Sequence, residues 1–206
     1  MPTFLHVGCG QQYKAGTTHG FNTPEWTEVR LDIEPGVEPD ILGDMIDMKA
    51  VESGSMDAVF SSHNIEHLYP FEVPLALAEF RRVLKPGGFA VITCPDLQSV
   101  AALVAEDKLL EPAYESPAGP ISPLDIMYGH RPSLARGHLH MAHKCGFTRK
   151  VLVGLLNQAG FGGFASMRRP ASFDLWAVAV AAEPPASEKA VALAKLHFPA
   201  QPAPAN

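Results

Sequence analysis

The feature that most constrains this chain is its first dozen residues, where an apolar run ends abruptly in a glycine pair. Residues 4–7 are apolar or ring-bearing and lead at once into Gly8-Cys9-Gly10, a pattern typical of a buried parallel strand that enters a tight turn. Glycine lets such a turn take positive φ and approach a ligand closely. A second apolar segment then ends in Asp32. This spacing predicts a nucleotide-binding βαβ unit, with the acid on the ribose hydroxyls.

Two alternatives to that prediction stay open at this point. A Gly-x-Gly sequence also occurs in ordinary tight turns that bind nothing. A dinucleotide site would need a third glycine, and the chain has Gln12-Tyr13 where that glycine should fall. The missing glycine disfavours NAD and FAD as cofactors.

Composition excludes several classes of protein. The chain has 206 residues, 47% of them hydrophobic and 18% charged, which fits one globular domain with a sizeable core. A net charge of −6 disfavours a general nucleic-acid binder. Three widely separated cysteines indicate reduced thiols rather than a disulfide framework. No membrane-length apolar run or signal-peptide pattern is present, so we expect a cytoplasmic protein that binds neither nucleic acid nor membranes.

Strand and helix patterns alternate along most of the chain, which predicts a doubly wound, Rossmann-like α/β fold. The sheet is expected to have seven strands, mostly parallel, with an antiparallel hairpin at the C-terminal end. The segment 11–26 lacks helical periodicity, so the first crossover helix should be short or distorted. The predicted strands are residues 4–7, 28–33, 39–44, 56–60, 89–94, 164–169 and 173–182, and the predicted helices are 71–84, 97–110 and 148–159.

Two segments depart from this alternation. Residues 111–146 are rich in Pro, Gly and His without a clear period, and a loop of that length in a compact domain is usually functional, so we interpret it as a lid over the substrate. Residues 183–206 are rich in Pro and Ala. A short helix over 187–196 is conceivable there, but the prediction is a fraying tail outside a domain of residues 1–182.

The polar segment Ser61-Ser62-His63-Asn64-Ile65-Glu66-His67-Leu68 and the later Arg81-Arg82-Val83-Leu84-Lys85-Pro86-Gly87-Gly88 carry a family resemblance. Together with Val7-Gly8-Cys9-Gly10, they resemble the strand-tip motifs of the class I S-adenosylmethionine-dependent methyltransferases, over residues 3–182. Within that class, the chain is similar to methyltransferases of type 11 and to a small uncharacterised bacterial group. The resemblance implies a Rossmann-like sheet, S-adenosylmethionine as cofactor and methyl transfer to a small molecule.

The resemblance also assigns roles at the strand tips. Gly8, Cys9 and Gly10 would pass under the methionine part of the cofactor, and Asp32 would hold the ribose. Asp44 would accept from the adenine amino group, and Met45 would pack on the ring. Ser61, Ser62 and His63 would lie beside the sulfonium and its methyl group.

Methyl transfer needs mainly alignment of the nucleophile with the methyl group, but an oxygen nucleophile also needs a base. His63 is the candidate base by its position, and His140 or His143 by its place in the predicted lid. The alternative for His63 is a polar residue that bonds the cofactor or backbone without moving a proton.

Two metal sites were weighed and neither is predicted. Resemblance to ubiquinone-pathway O-methyltransferases would make His63, Glu66 and His67 ligands of a divalent ion, but adjacent ligand types alone do not define a site, and a capping and packing role is favoured. His138, His140, His143 and Cys145 could hold zinc, yet they lack a regular ligand spacing, so a polar lid is favoured.

The segment 127–150 carries five cations and no acid: Arg131, Arg136, Lys144, Arg149 and Lys150. Such a basic stretch in an acidic protein could attract an anionic acceptor, although a solvated loop is an equal alternative. The predicted function is methyl transfer to a small molecule. Its alternative is a protein of the same fold that binds S-adenosylmethionine, or serves as a scaffold, without efficient catalysis. Closure of the site by a second subunit, in a homodimer, is also open.

Overall fold

The computed structural model describes residues 1–183 and 185–200. Its main element is a seven-stranded sheet in the order β3-β2-β1-β4-β5-β9-β8, and a separate hairpin joins β6 to β7. The strands are β1 (Thr3–Val7), β2 (Thr27–Asp32), β3 (Ile41–Leu42), β4 (Met56–Ser62), β5 (Leu84–Pro95), β6 (Tyr114–Ser116), β7 (Gly119–Ile121), β8 (Gly163–Arg169) and β9 (Asp174–Val180). The helices are α1 (Val73–Val83), α2 (Leu97–Ala105), α3 (Pro123–Tyr128), α4 (Arg131–Ala135), α5 (Arg149–Gln158) and α6 (Ser187–His197).

The predicted sheet topology is confirmed. Strands β1 to β5 are parallel, β9 is antiparallel to β5, and β8 pairs antiparallel with β9. Because β1 lies between β2 and β4, the chain reverses its direction of winding beside β1. Ligands in open α/β sheets bind outside the carboxyl ends of the strands at such a switch point.

Alternation along β1 divides the core between the two faces of the sheet. Leu5 and Val7 join a cluster with α1 and α5, whereas Phe4 joins a second cluster on the other face. The second cluster contains Phe21 from the loop before β2 and Ala190 from α6. That loop holds only a short 3-10 turn, Lys14–Gly16, which confirms the prediction that the first crossover helix is short or distorted.

Several predicted boundaries are wrong. Strand β5 begins at Leu84 rather than at residue 89, and its register with β4 shifts between Met56 and Ala58. Gly87 has φ +79°, and a Cβ on Gly88 would lie 2.9 Å from the carbonyl oxygen of Asp57. The two glycines, which follow helix α1, therefore permit the irregular pairing of β5 with β4. Helix α2 ends at Ala105, five residues before its predicted end, and Asp107 takes positive φ just beyond it.

The two atypical segments are also more regular than predicted. The insertion at 111–146 contains the β6–β7 hairpin, α3, α4 and the 3-10 turn Leu139–Met141. Beyond residue 182, α6 packs on the sheet with His197 buried, so the prediction of a fraying tail is wrong for that helix. Residues 184 and 201–206 of the predicted tail lie outside the described residues.

Candidate active site

A cavity of about 480 Å³ lies at the switch point, outside the carboxyl ends of β1, β2 and β4. Its volume is within the range of small-molecule and cofactor sites. Of the nine residues predicted to bind a cofactor, seven line this main cavity: Gly8, Cys9, Gly10, Asp32, Asp44, Met45 and His63. The candidate base His140 lines it as well.

The turn after β1 forms one wall of the main cavity. Gly8 and Gly10 have φ of +64° and +51°, and the amides of Gly8 and Cys9 both donate to the carbonyl of Leu31, at 2.9 and 3.3 Å. Cys9 is buried, and burial raises the pKa of its thiol to about 11. It therefore packs as a neutral thiol rather than acting as a nucleophile.

Asp32 connects the first two strand tips. Its Oδ2 accepts from the Gly10 amide at 2.7 Å, and its Oδ1 accepts from the Glu34 amide at 2.9 Å. The carboxylate is mostly buried yet lines the cavity. Asp32 thus holds the glycine turn and the end of β2 in a fixed relative position.

Arg30 supports the same turn from below and was not predicted as a site residue. It is buried, and its guanidinium donates to the carbonyls of Gly10 at 2.6 Å and Gln12 at 3.2 Å. Further donations, to Glu38 and Val37 at 2.8 and 3.1 Å, tie the turn to the loop after β2. The sequence signal for this role is a cation in the middle of an apolar strand. A buried charge needs several hydrogen-bonding partners, so such a residue is expected to organise the loops around it.

Ser61 and Ser62 are not brought to the cavity, in contrast to the role that the resemblance implied. Strand β4 continues to Ser62, where these residues pair with Ile92 and Thr93 of β5. Ser61 is fully buried, and the Ser62 hydroxyl lies 2.7 Å from that of Thr93. The turn begins one residue later, at His63, which has φ +49°.

A second, smaller cavity of about 180 Å³ lies between the sheet edge and the insertion. His63, His67 and Met141 line both cavities, so His63 stands at the junction. Its Nδ1 lies 3.5 Å from Oε1 of buried Glu66. Partial desolvation of the half-exposed ring lowers the pKa of His63, but the Glu66 carboxylate outweighs that effect and the pKa is raised.

The four residues weighed as a zinc site do not converge. His138 and His140 have ring centroids 5.9 Å apart, whereas His143 lies against His67, with centroids 4.9 Å apart. Within the described residues, the one group of three or more potential ligands with neighbouring ligand atoms is Glu66, His67 and His143, whose atoms lie within 4.8 Å of one another.

The basic stretch is also divided. Lys144 lines the main cavity, with its Nζ 4.7 Å from the centre of the Tyr69 ring. Arg131 is bound instead to the Asp125 carboxylate at 2.8 Å, and this pair holds the pKa of Asp125 well below its usual range against the effect of burial. Lys144 is therefore the member of the stretch that faces the main cavity.

Comparisons with known proteins agree with this fold. Residues 5–92 match the family model described as "Methyltransferase domain", and the search of curated proteins found no match. Among solved structures, the chain resembles an S-adenosylmethionine-dependent methyltransferase of Thermotoga maritima, described as a possible histamine N-methyltransferase. That match has a TM-score of 0.54 and 14% identity, covering 87% of this chain and 82% of the other.

Two further structures have the same fold. A protein of Pyrococcus horikoshii matches with a TM-score of 0.57 and 15% identity, covering 86% of this chain and 81% of the other. An O-methyltransferase family protein of Burkholderia thailandensis matches with a TM-score of 0.53 and 13% identity, covering 89% and 52%. At these identities the likeness concerns the fold. In the described part of the chain, no helix is long and apolar enough to cross a membrane.

Proposed function

We propose that this chain transfers a methyl group from S-adenosylmethionine to a small-molecule acceptor, because residues 5–92 match the methyltransferase domain model and the sheet has the fold of solved methyltransferases. The observation that carries the proposal is the main cavity at the switch point, where the glycine turn, Asp32 and Asp44 meet. Nucleotide cofactors bind at this position in open α/β sheets.

The cofactor's groups are assigned to the residues that line the cavity. Gly8 and Gly10 leave room for the methionine part, because neither has a Cβ and both take positive φ. Asp32 accepts hydrogen bonds from the ribose hydroxyls. Asp44 accepts one from the adenine amino group, and Met45 packs on the adenine ring. Ser61 and Ser62 are left out of this assignment because neither lines the cavity.

His63 is proposed to face the methyl group and the acceptor, since it lines both cavities. An imidazole at this junction can accept the proton that a hydroxyl or amine loses as it attacks the methyl carbon. His140, which lines the main cavity alone, is the second candidate for that role. Alignment of the acceptor with the methyl group supplies the rest of the rate acceleration.

The acceptor is proposed to reach His63 through the second cavity. Its volume of about 180 Å³ is smaller than that of an ordinary ligand pocket, about 300–1,000 Å³, and this favours a small molecule. An anionic group on the acceptor is proposed to reach Lys144 across the junction of the two cavities, because Lys144 lines the main cavity and not the second one. The insertion of the same chain forms one wall of the second cavity. Closure of the site by a partner subunit stays a prediction.

The test is calorimetric titration with S-adenosylmethionine and with its demethylated product, using NADH as a negative control. We expect micromolar binding of either ligand and a loss of about tenfold or more in Asp32→Ala, because the ribose partner is removed. Asp47→Asn is the matched control, as Asp47 is an exposed acid paired with Lys49. Absence of binding in the folded protein would overturn the proposal.

Binding alone leaves the non-catalytic alternative standing, so turnover is measured separately on a panel of small acceptors. With an acceptor found, His63→Gln should lower kcat far more than it weakens S-adenosylmethionine binding, because the base acts on the acceptor's proton whereas Gln keeps a polar side chain at the wall of the main cavity. Unchanged kcat in His63→Gln would assign the base role elsewhere, and the same assay on His140→Gln would test the second candidate.

A further inference from the structure

Glu66 is a buried acid whose contacts do not satisfy it. Only 1% of its surface is exposed, and neither carboxylate oxygen accepts a hydrogen bond from the described residues. The neighbouring His63 Nδ1 stands 3.5 Å away, beyond a good hydrogen-bond distance. A buried carboxylate without hydrogen bonds is costly, so this site is built around something that binds the carboxylate.

Two histidines beside Glu66 are held in a single tautomer. Nδ1 of His67 lies 3.1 Å from the carbonyl oxygen of Ala142, and Nδ1 of His143 lies 2.7 Å from that of Ile126. A carbonyl oxygen can only accept, so each Nδ1 carries the proton and donates it. Nε2 of each neutral ring then carries a lone pair that can bind a hydrogen-bond donor or a cation.

Among Glu66, His67 and His143, the groups that face one another are therefore acceptors, and the one donor near them is the His63 Nδ1 at 3.5 Å from Glu66. Glu66 offers carboxylate oxygens, His67 and His143 offer imidazole lone pairs, and one atom from each lies within 4.8 Å of the others. Acceptors gathered in a buried place need a cation between them. We propose that Glu66, His67 and His143 bind a divalent transition-metal ion, a site that does not depend on the binding of S-adenosylmethionine.

The donor set and its support fit such an ion. Two imidazoles and one carboxylate are a ligand set of catalytic zinc sites, which keep a further position open. Ligating histidines usually donate their other N–H to a backbone carbonyl or carboxylate, as both do here. In a tetrahedral site with bonds of about 2.1 Å, ligand atoms lie about 3.4 Å apart, so binding of the ion would draw together ligand atoms that here lie within 4.8 Å of one another.

The insertion brings the third ligand to the sheet edge. The Lys144 amide donates to the Glu66 carbonyl at 2.8 Å, and the His143 amide donates to the Tyr128 carbonyl at 3.1 Å. These bonds hold His143 beside the 3-10 turn Ile65–His67. Neither set weighed from the sequence combined these residues, because His143 is more than seventy positions from Glu66 along the chain.

The open position of the proposed ion faces the second cavity, since Glu66, His67 and His143 all line it. An acceptor hydroxyl bound there would lose its proton more readily than in water, because a metal ion stabilises the resulting oxyanion. The class of ligand at this site is thus a divalent ion of the kind that imidazole and carboxylate share, such as Zn²⁺ or Co²⁺.

The test uses the full chain, stripped with a chelator and dialysed, without S-adenosylmethionine. Titration with Zn²⁺ by calorimetry should give one ion per chain, and Co²⁺ should give the visible absorption bands of a four- or five-coordinate ion. Glu66→Gln and His143→Asn should each weaken binding by about 100-fold or more and remove the bands. His138→Asn, in the same insertion but outside the cluster, should bind as the parent does.

Folding of each variant is checked by near-ultraviolet circular dichroism. If Glu66→Gln fails to fold, His143→Asn decides the question, because it removes a ligand from the insertion rather than from the sheet edge. The proposal is overturned if the parent shows no stoichiometric binding, or if binding survives His143→Asn unchanged. In that case a protonated imidazole, rather than a metal ion, would balance the charge of the Glu66 carboxylate.

Discussion

At Gly8, the absence of a side chain makes room for the side chain of Asn64. A Cβ built on Gly8 would lie 2.0 Å from Nδ2 of Asn64, and Asn64 is mostly buried and lines the main cavity. Gly10, two residues away, also has positive φ, but a Cβ there would meet no atom within 4 Å. Alanine at either position strains the backbone, but only alanine at Gly8 displaces Asn64, so comparing the two variants separates these effects.

We predict that Gly8→Ala weakens S-adenosylmethionine binding by about tenfold or more, because it displaces Asn64 from the cavity wall. Gly10→Ala carries the same left-handed strain of about 1 kcal/mol and the same loss of room for the cofactor, but it displaces no protein side chain, so it should bind more tightly than Gly8→Ala. Calorimetric titration of both variants, each checked for folding by urea denaturation, makes the comparison. Equal losses of affinity would contradict the role given to Asn64.

The residues at the strand tips differ in how far the sequence predicts them. Gly8, Gly10 and Asp32 follow from local spacing, because a strand, a turn and an acid at a second strand tip are read within some thirty residues. The misplaced pair is Ser61 and Ser62. Polar residues after an apolar run suggested a loop, but pairing with β5 extends the strand through them, and such pairing is a tertiary effect that overrides local polarity.

At the scale of elements, the insertion shows the limit of periodicity. Its strands are three residues long and its two α-helices six and five, too short for a helical or strand period to emerge. A local signal was nevertheless present. Ser122 and Asp125 form a capping box at the start of α3, and a serine followed three residues later by an acid is a known helix-start pattern.

Gly129 packs closely against the segment of the insertion that contains Met141. It has φ +98°, and a Cβ there would lie 2.2 Å from the Met141 carbonyl oxygen. We predict that Gly129→Ala destabilises the fold by about 1–3 kcal/mol and weakens Zn²⁺ binding, since the segment that carries His143 must shift. Affinity for S-adenosylmethionine should change less than affinity for Zn²⁺.

Gly137→Ala is the matched control for that experiment. Gly137 has φ +94° in the same insertion, but a Cβ there would meet nothing within 4 Å. Urea denaturation and the two titrations are run on both variants. If Gly137→Ala lowers Zn²⁺ affinity as much as Gly129→Ala does, backbone strain rather than packing controls the position of His143.

Helix α6 covers the face of the sheet that the first crossover would normally cover. His197, in its last turn, is 4% exposed, its ring centre is 4.3 Å from that of Phe21, and its Nδ1 is 2.6 Å from the Thr18 hydroxyl. The sequence could not assign this contact, since Thr18 and His197 are 179 positions apart. A fraying tail was the local interpretation, and long-range packing overrides it.

We predict that His197 makes the fold sensitive to acid. Burial lowers its pKa from 6.5 to about 4, so between these values the unfolded chain binds a proton that the folded chain does not. Stability is therefore fully present above pH 6.5 and falls as the pH drops toward 4, by a total of about 3 kcal/mol from this group.

Urea denaturation between pH 7 and pH 4 measures that loss. His197→Gln should be less stable than the parent at pH 7 but lose less stability on acidification, whereas His19→Gln, at an exposed position, should keep the parent's slope. The same slope in the parent and in His197→Gln would show that other groups cause the acid sensitivity.

At the scale of the whole molecule, both proposed ligand sites rest on one sheet. The main cavity uses the tips of β1, β2 and β4, and the metal cluster uses the turn after β4 together with the insertion. The insertion is joined to the sheet edge through the Glu66 carbonyl, and α6 is packed on β8 and β9. These contacts predict that the chain unfolds as one cooperative unit.

Ligand linkage tests that expectation. S-adenosylmethionine at 100 times its Kd should stabilise the fold by about 2.7 kcal/mol, which for a chain of this size raises Tm by about 5–11 °C. Zn²⁺ at a similar excess should raise the Tm of the same single transition, and the two ligands together should raise this Tm further. Differential scanning calorimetry would reveal the contrary case, in which each ligand shifts a separate transition. The parts of the molecule that bind them would then unfold independently, and the His143→Asn and Asp32→Ala variants would identify which transition belongs to which site.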